Sequence, residues 1–507
     1  MFCRTSSMGI LGIDAFEVLV EVDIARGLPV FDVVGLPDVG IKESRNRVKA
    51  SIKNSEFEFP VGKITVNLAP ADLKKNGSFY DLPIAISILR ASGQVAQWEE
   101  NNVFFGELSL SGEIKPVNGV LPMVLKAREL GFKNVFVPQE NAEEAAIVSG
   151  INIFAAFSLQ QLVNYFSNKM QLQALEPRNF ANDNFKYAFD FLDVKGQFKA
   201  KRAIEVAAAG GHNILLIGAP GSGKSMLAKR IPSILPPLEF SEAIETTKIH
   251  SVVGNISRES PLNFTRPFRA PHHTTSLAGL AGGGSIPMPG EISLAHNGVL
   301  FLDEFPEFSR QVLEGLRQPL EDKTITISRA RSKLTYPSSI MLVAAMNPCP
   351  CGFWGHPIKK CKCQQMAVSK YLGRISGPML DRIDIHVEVM PIDINDMTKA
   401  PDGETSEIIR RRVTRAREKQ WLRFSSEKFN CNAEINSSAV NKICLTTTTA
   451  AKMLKTAFER LAFSARVYNK ILKVAKTIAD LDDAEIIDSK HIAESLQYRD
   501  LDRRYWG

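Results

Sequence analysis

The sequence predicts an α/β protein of 507 residues in three successive parts, two α/β domains followed by a helical one. Three observations predict it. Short apolar strands alternate with amphipathic stretches of helix length over residues 1–170. Residues 188–391 repeat that alternation, and their strand Ile214–Ile217 runs straight into Gly218-Ala219-Pro220-Gly221-Ser222-Gly223-Lys224-Ser225, a complete GxxxxGK[ST] loop. Residues 392–507 carry helical periodicity without strand alternation.

In the first part, Glu17–Val22, Thr65–Ala69 and Val135–Val137 read as strands, and Asp81–Ala91 and Leu121–Glu129 as helices. Residues 171–187, with Pro177, Asn179, Asn182, Asp183 and Asn184, have the polar composition of a linker to the second part.

The loop that opens the second part is built to hold phosphate. Its backbone N–H groups turn inward onto the α- and β-phosphates of a nucleotide, Lys224 reaches the β- and γ-phosphates, and the Ser225 hydroxyl ligates magnesium. Glycine permits that close approach. Chance would supply the pattern about 0.02 times in a chain of this length, so nucleotide binding outweighs a merely flexible turn. Met226–Ile231 reads as a helix starting at the loop.

Downstream, the apolar strand Val299–Leu302 ends in two carboxylates. Asp303 is placed to hold the magnesium shell and Glu304 to polarise an attacking water. A second apolar strand, Ile340–Ala345, leads to Asn347, whose amide can sense a γ-phosphate and the lytic water. Asp381-Arg382 precedes a strand-like Ile385–Val389, where Arg382 can point at another subunit's phosphate. Ser464-Ala465-Arg466 opens a helix with Ile471, Leu472, Val474, Ala475 and Ile478 on its apolar face.

Phosphate loop, Asp-Glu strand, strand-end Asn, Leu-Asp-Arg and Ser-Ala-Arg follow one another in the order of an AAA+ ATPase, which the chain resembles. Arg269-Ala-Pro-His-His-Thr-Thr-Ser276, Pro289-Gly-Glu-Ile-Ser293 and the Cys-Pro-Cys-Gly after Asn347 are similar to the magnesium-chelatase-like YifB/ComM branch, over essentially the whole chain. The resemblance implies ATP and Mg²⁺ as cofactors. It implies that Arg382 is an arginine finger acting in trans, that Arg466 is a sensor-2 arginine acting in cis, and that Gly196 and Gln197 wall the adenine. Residues 392–507 would form the helical lid, and the active unit would be a ring, a homohexamer.

Gly106–Gly119, the helix after it and Asn134–Pro138 resemble the Lon protease catalytic domain, of the ribosomal S5 domain 2 type. Where Lon carries its serine this chain has Asp81-Leu-Pro-Ile84, and where Lon carries its lysine it has Gly119-Val-Leu121. Apolar side chains serve neither as nucleophile nor as base, so the first part is expected to be a non-proteolytic platform.

Cys349, Cys351, Cys361 and Cys363 fall within fifteen residues. Four thiolates can hold one tetrahedral Zn²⁺, although C-x-C is tighter than the usual gap; the other reading is reduced or redox-sensitive thiols. His272 and His273, adjacent and diverging, read as pore-facing or packing residues in the long loop Arg258–Ser293. Thr324–Tyr336 reads as a hairpin with Arg329, Arg331 and Lys333 near its tip, suited to phosphate contacts with DNA in a channel or to protecting a solvated edge. The arginine-rich run Ile408–Phe424 reads as a solvated helix face, with a nucleic-acid stripe as the other reading.

Composition adds limits. A net charge of +7 permits a polyanionic partner without requiring one. No apolar stretch is long enough for a membrane span and no leader precedes the first strand, so a cytoplasmic protein without a membrane partner is expected. For the YifB/ComM branch the implied work is translocation on single-stranded or branched DNA, as a branch-migration helicase in recombination during natural transformation. The alternative is a chelatase-like ring remodelling a protein partner. A third reading, an ATP-dependent protease, is opposed by Ile84 and Leu121.

Overall fold

The computed structural model describes residues 1–96, 98, 100–177, 187–257, 261–284, 287–329, 332–391, 403–425, 429–461 and 465–506. They form two compact units. The first is Met1–Asp183 together with Phe240–Asn263, and the second is Asn184–Glu239 together with Phe264–Gly507.

The first unit is a mixed sheet covered by helices. Its strands are β1 (Phe2–Leu11), β2 (Asp14–Ala25), β3 (Val30–Val34), β4 (Lys63–Ala69), β5 (Asn102–Phe104), the short β6 (Glu107–Leu108) and β7 (Ile114–Lys115), β8 (Asn134–Pro138) and β9 (Asn152–Ala156). Seven of them form one sheet in the order β3-β4-β2-β1-β5-β8-β9. β1 and β2 pair antiparallel from Phe2↔Asp23 to Leu11↔Asp14. Period-two alternation sends Val18, Val20, Val22 and Ile24 inward and leaves the residues between them partly solvated. Helix Asp81–Ala91 is buried along its whole length.

Ile84 lies inside that helix and Leu121 in the first turn of helix Val120–Glu129, both fully buried. Ser78 hydrogen-bonds Glu107. The second helix also carries a lodger. Helix Phe240–Val252, which the chain makes between the phosphate loop and the Asp-Glu strand, folds with this first unit. There the Gly119 N–H donates to the Ser251 carbonyl (3.0 Å), Glu144 accepts from the Leu121 N–H (2.9 Å) and from the Ser251 hydroxyl, and Lys248 pairs with Asp14 (2.8 Å).

The second unit is built on a parallel sheet. Its strands are β10 (Ile214–Ile217), β11 (Phe268–Arg269), β12 (Gly282–Gly283), β13 (Met288–Pro289), β14 (Gly298–Leu302), β15 (Thr324–Arg329), β16 (Ser332–Pro337), β17 (Ile340–Met346) and β18 (Ile385–Glu388). The parallel sheet has the order β11-β14-β17-β10-β18, while β12–β13 and β15–β16 form separate hairpins. Parallel strands covered on both faces are apolar throughout, and Ile214–Ile217 are all at 0% exposure, each contributing about 2 kcal/mol of burial. Alternate residues feed opposite cores. Ile214, Leu216, Val343 and Ala345 go to one, and Leu215, Ile217, Leu342 and Ala344 to the other.

Helix Ser406–Phe424 lies on helices Phe198–Gly210 and Ala465–Leu481, and its arginine run is divided: Arg411 and Arg415 stay solvated as expected, while Arg410, Arg412, Arg417 and Arg423 turn to partners. Arg412 bridges Glu205 (2.6 Å) and Glu404 (2.6 Å), Arg423 takes Asp480 (2.5 Å), and Arg417 and Arg410 donate to the carbonyls of Ala208 (3.0 Å) and Ser233 (2.8 Å). Arg410, Arg412 and Arg417 fasten the helical region to the elements around the sheet, while Arg423 ties two helices of that region together. No described helix is long and apolar enough to cross a membrane.

Candidate active site

The register of the parallel sheet brings the sequence-predicted groups to one edge. Ile217 at the end of β10 is level with Met346 at the end of β17, and Leu302 of β14 is level with Ala344. The segments that follow, Gly218–Ser225, Asn347 and Asp303-Glu304, therefore emerge together at the carboxyl ends of the strands, where open α/β sheets bind ligands. They line a cavity of about 350 Å³ with Pro220, Gly221, Ser222, Gly223, Lys224, Ser225, Met226, Asp303, Glu304, Met346 and Asn347 on its walls.

Two glycine requirements shape the loop. Gly221 and Gly223 adopt φ of 77° and 93°, in the left-handed region, and a Cβ on Gly218 would come within 2.4 Å of the Val389 carbonyl. Lys224 begins a helix that runs only to Ala228, shorter than its sequence suggests. Pro232 explains the stop, since it has no N–H to offer the Ala228 carbonyl and clashes with a continuing turn.

The Lys224 ammonium donates to the carbonyls of Gly218 (2.8 Å) and Ala219 (3.0 Å) and to Asn347 Oδ1 (3.2 Å). Burial pushes its pKa below the usual lysine value, with Asp303 pulling the other way. The Ser225 hydroxyl donates to Asp303 Oδ2 at 2.6 Å. Two oxygens on adjacent positions of an octahedral magnesium lie about 2.9 Å apart, so this pair fits two ligands of one Mg²⁺, with nucleotide phosphate and water as the others. Asp303 is steadied by the Glu304 N–H, which donates to its Oδ1 (2.9 Å).

Glu304 has φ of 52°, uncommon for a residue with a side chain, and its carboxylate is exposed to the cavity. Its Oε2 lies 2.9 Å from Nδ1 of His273, a partner the sequence did not indicate. Gly196 and Gln197 are consecutive left-handed residues, with φ of 58° and 57°; the Gln197 amide donates to the carbonyls of Met390 (2.5 Å) and Ser222 (3.4 Å). This places them beside the phosphate loop but not on the cavity wall.

The two arginines sit apart from the cavity and close to each other's neighbours. Arg382 pairs with Glu321, and Arg466 Nη1 lies 3.6 Å from Asp381, the residue before Arg382. Behind them Asp384 is held by Lys470 (3.2 Å) and His212 (3.3 Å), which keep its carboxyl well below the usual range although burial opposes them. Of the hairpin cations, Lys333 is exposed; Arg329 lies in β15 opposite Ser332, and Arg331 lies outside the described residues.

The four cysteines converge. Every pair of Sγ atoms among Cys349, Cys351, Cys361 and Cys363 lies within 4.8 Å, with Cys349–Cys351 at 3.4 Å, Cys351–Cys361 at 3.6 Å and Cys349–Cys361 at 3.7 Å. Thiolates around one zinc, each bonded at about 2.3 Å, lie about 3.8 Å apart, so the set fits. The amides of Phe353 and Trp354 point to the Cys349 sulfur and those of Phe353 and Lys362 to that of Cys351. Cys3, Cys431 and Cys444 are isolated and buried.

A phosphate loop, a hydrogen-bonded Ser-Asp pair with the spacing of two magnesium ligands and a strand-end glutamate at the edge of a parallel sheet define a P-loop ATPase. Residues 190–397 match the family described as magnesium chelatase, subunit ChlI; residues 20–141 match subunit ChlI of Mg-chelatase, and residues 403–499 its C-terminal region. The chain is 43% identical over 496 residues to "Uncharacterized protein YifB" of Escherichia coli, covering 97% of this chain and 96% of that one. It is 43% identical over 502 residues to "Competence protein ComM" of Haemophilus influenzae, with the same coverage. "Lon protease 2" of Bacillus subtilis is 26% identical over 164 residues, 29% of each chain. The chain belongs to the magnesium-chelatase-like YifB/ComM family of AAA+ ATPases.

Proposed function

We propose that this chain is the subunit of an ATP-driven ring, a homohexamer, that moves on DNA and drives branch migration of recombination intermediates. The observation that carries the ATPase half is the meeting of Lys224, Ser225, Asp303, Glu304 and Asn347 at one cavity. In this reading Lys224 and the loop amides hold the phosphates, and Ser225 and Asp303 hold Mg²⁺, which neutralises phosphate charge. Glu304 aligns the attacking water and takes its proton, with Asn347 fixing the water from the other side. Arg382 reaches the nucleotide of the neighbouring subunit, Gly196 and Gln197 border the base, and Arg466 responds to nucleotide state through the helical lid. The four cysteines hold a structural Zn²⁺.

DNA is favoured as the track by the β15–β16 hairpin, which immediately precedes the strand leading to Asn347 and carries Arg329, Arg331 and Lys333 about its turn. The printed name of the Haemophilus relative, a competence protein, supports the same setting. The test is the ATPase rate without DNA and with single strands, duplex and a four-way junction. Stimulation greatest on the junction, and lost in Arg329→Ala/Arg331→Ala/Lys333→Ala, is expected. An ATPase indifferent to every DNA would instead direct attention to a protein client.

A further inference from the structure

The segment that carries the cysteines is also a wall of the ATPase site. Asn347 is followed after one residue by Cys349, and residues 347–364 contain neither helix nor strand between Met346 and Gln365. Eighteen residues without a hydrogen-bond ladder need another means of being held. The cluster supplies one, since Cys349 and Cys351 at the start meet Cys361 and Cys363 at the end.

The start of this segment leans on the phosphate loop. The Gly352 N–H donates to the Cys349 carbonyl (2.9 Å), Gly352 has φ of 82°, and a Cβ on it would come within 2.4 Å of Pro220 Cδ. Pro220 and Asn347 both line the nucleotide cavity. The other side is fixed to the C-terminal helix Asp500–Trp506. Trp354 meets Tyr505 edge-on (5.2 Å, 82°), and Gly355 packs on Arg504, which pairs with Glu388 at the end of β18 (2.9 Å).

We infer that zinc at Cys349, Cys351, Cys361 and Cys363 is a brace that sets Asn347 and Pro220 for hydrolysis, so that ATP turnover depends on metal at a site separate from the magnesium. The inference rests on the reading that the cluster holds zinc. With the metal bound, four ligands close the segment and hold Gly352 against the phosphate loop. Without it, the Asn347 amide and the Pro220 wall lose their backing while Lys224 and Ser225, carried by β10 and its helix, keep theirs. Turnover should therefore suffer far more than nucleotide affinity.

The experiment uses the full chain. Metal content is measured by mass spectrometry for wild type and for Cys361→Ser/Cys363→Ser, together with steady-state ATPase and the affinity for a fluorescent ATP analogue. One zinc per wild-type chain is expected, none in the double variant, a fall in kcat of about 100-fold and a change in affinity within about threefold. Gly352→Ala keeps all four ligands and pushes the segment off Pro220; it should retain zinc and still lose about tenfold in kcat, which also serves if the double variant does not fold. A wild type without zinc would overturn the metal reading and the brace together. Zinc present in wild type, with kcat intact in both variants, would overturn the brace alone.

Discussion

His273 Nδ1 and Glu304 Oε2 lie 2.9 Å apart, so the Glu304 carboxylate, on the wall of the phosphate-loop cavity, has a side-chain partner. His273 stacks near His272 (4.1 Å between ring centroids), and the chain runs on through Ser276, which caps helix Leu277–Ala281, to the glycine crest Gly282–Gly284. Only a few residues of chain thus separate that crest from the partner of Glu304.

A restraint of Glu304 by this contact has a kinetic signature. His273→Ala should raise ATP hydrolysis in the absence of DNA by about threefold and reduce the further stimulation by DNA, read from ATPase rates with and without a junction. Unchanged rates in both conditions would assign the contact a packing role only.

Binding and hydrolysis should separate at the phosphate loop. Lys224→Ala removes the ammonium from the phosphates and should abolish nucleotide binding, whereas Glu304→Gln keeps the site's shape, binds ATP and loses at least about 100-fold in kcat. A fluorescent nucleotide titration beside the ATPase assay checks both.

Arg382→Ala should leave nucleotide affinity intact and lower kcat by about 1,000-fold. On the proposal that Arg382 acts on a neighbour, mixing Arg382→Ala subunits with Glu304→Gln subunits should restore part of the activity: each Arg382→Ala site can receive an intact finger. Mixed rings no faster than the separate variants would place Arg382 outside the reaction.

Buried histidines give stability a pH dependence. Burial lowers the pKa of His212, among Asp384, Lys473 and Arg417, and of His386, among Asp502, Arg499 and Lys470. A histidine with a depressed folded pKa takes up its proton in the unfolded chain first. Its stabilising contribution is thus present above about pH 6.5 and lost as pH falls through the folded value. The thermal unfolding midpoint should fall between pH 7 and pH 5, and His212→Gln should flatten that slope if it folds.

Much of the active site was legible because it lies where apolar strands end. Ile214–Ile217, Val299–Leu302 and Met341–Ala345 are buried on both faces, and each delivers its polar residue, Lys224, Asp303 or Asn347, to the same edge. His273 was not legible as a partner of Glu304: it follows a two-residue strand, β11, too short for any period, and lies thirty-one positions earlier. The pairing of Arg412 and Arg423 was not legible because their partners Glu205 and Asp480 are distant in sequence. Helix Phe240–Val252 sits by chain order within the ATPase part, and only packing against Gly119 and Glu144 shows that it folds with the first unit.

The most direct test of the motor reading is to follow a labelled four-way junction as it resolves into duplex products, with wild type and with Glu304→Gln, in ATP. The account predicts product formation by wild type that requires ATP and Mg²⁺, and none by Glu304→Gln although it binds both nucleotide and junction. Brisk ATP hydrolysis with no resolution of the junction and no binding to it would contradict the account.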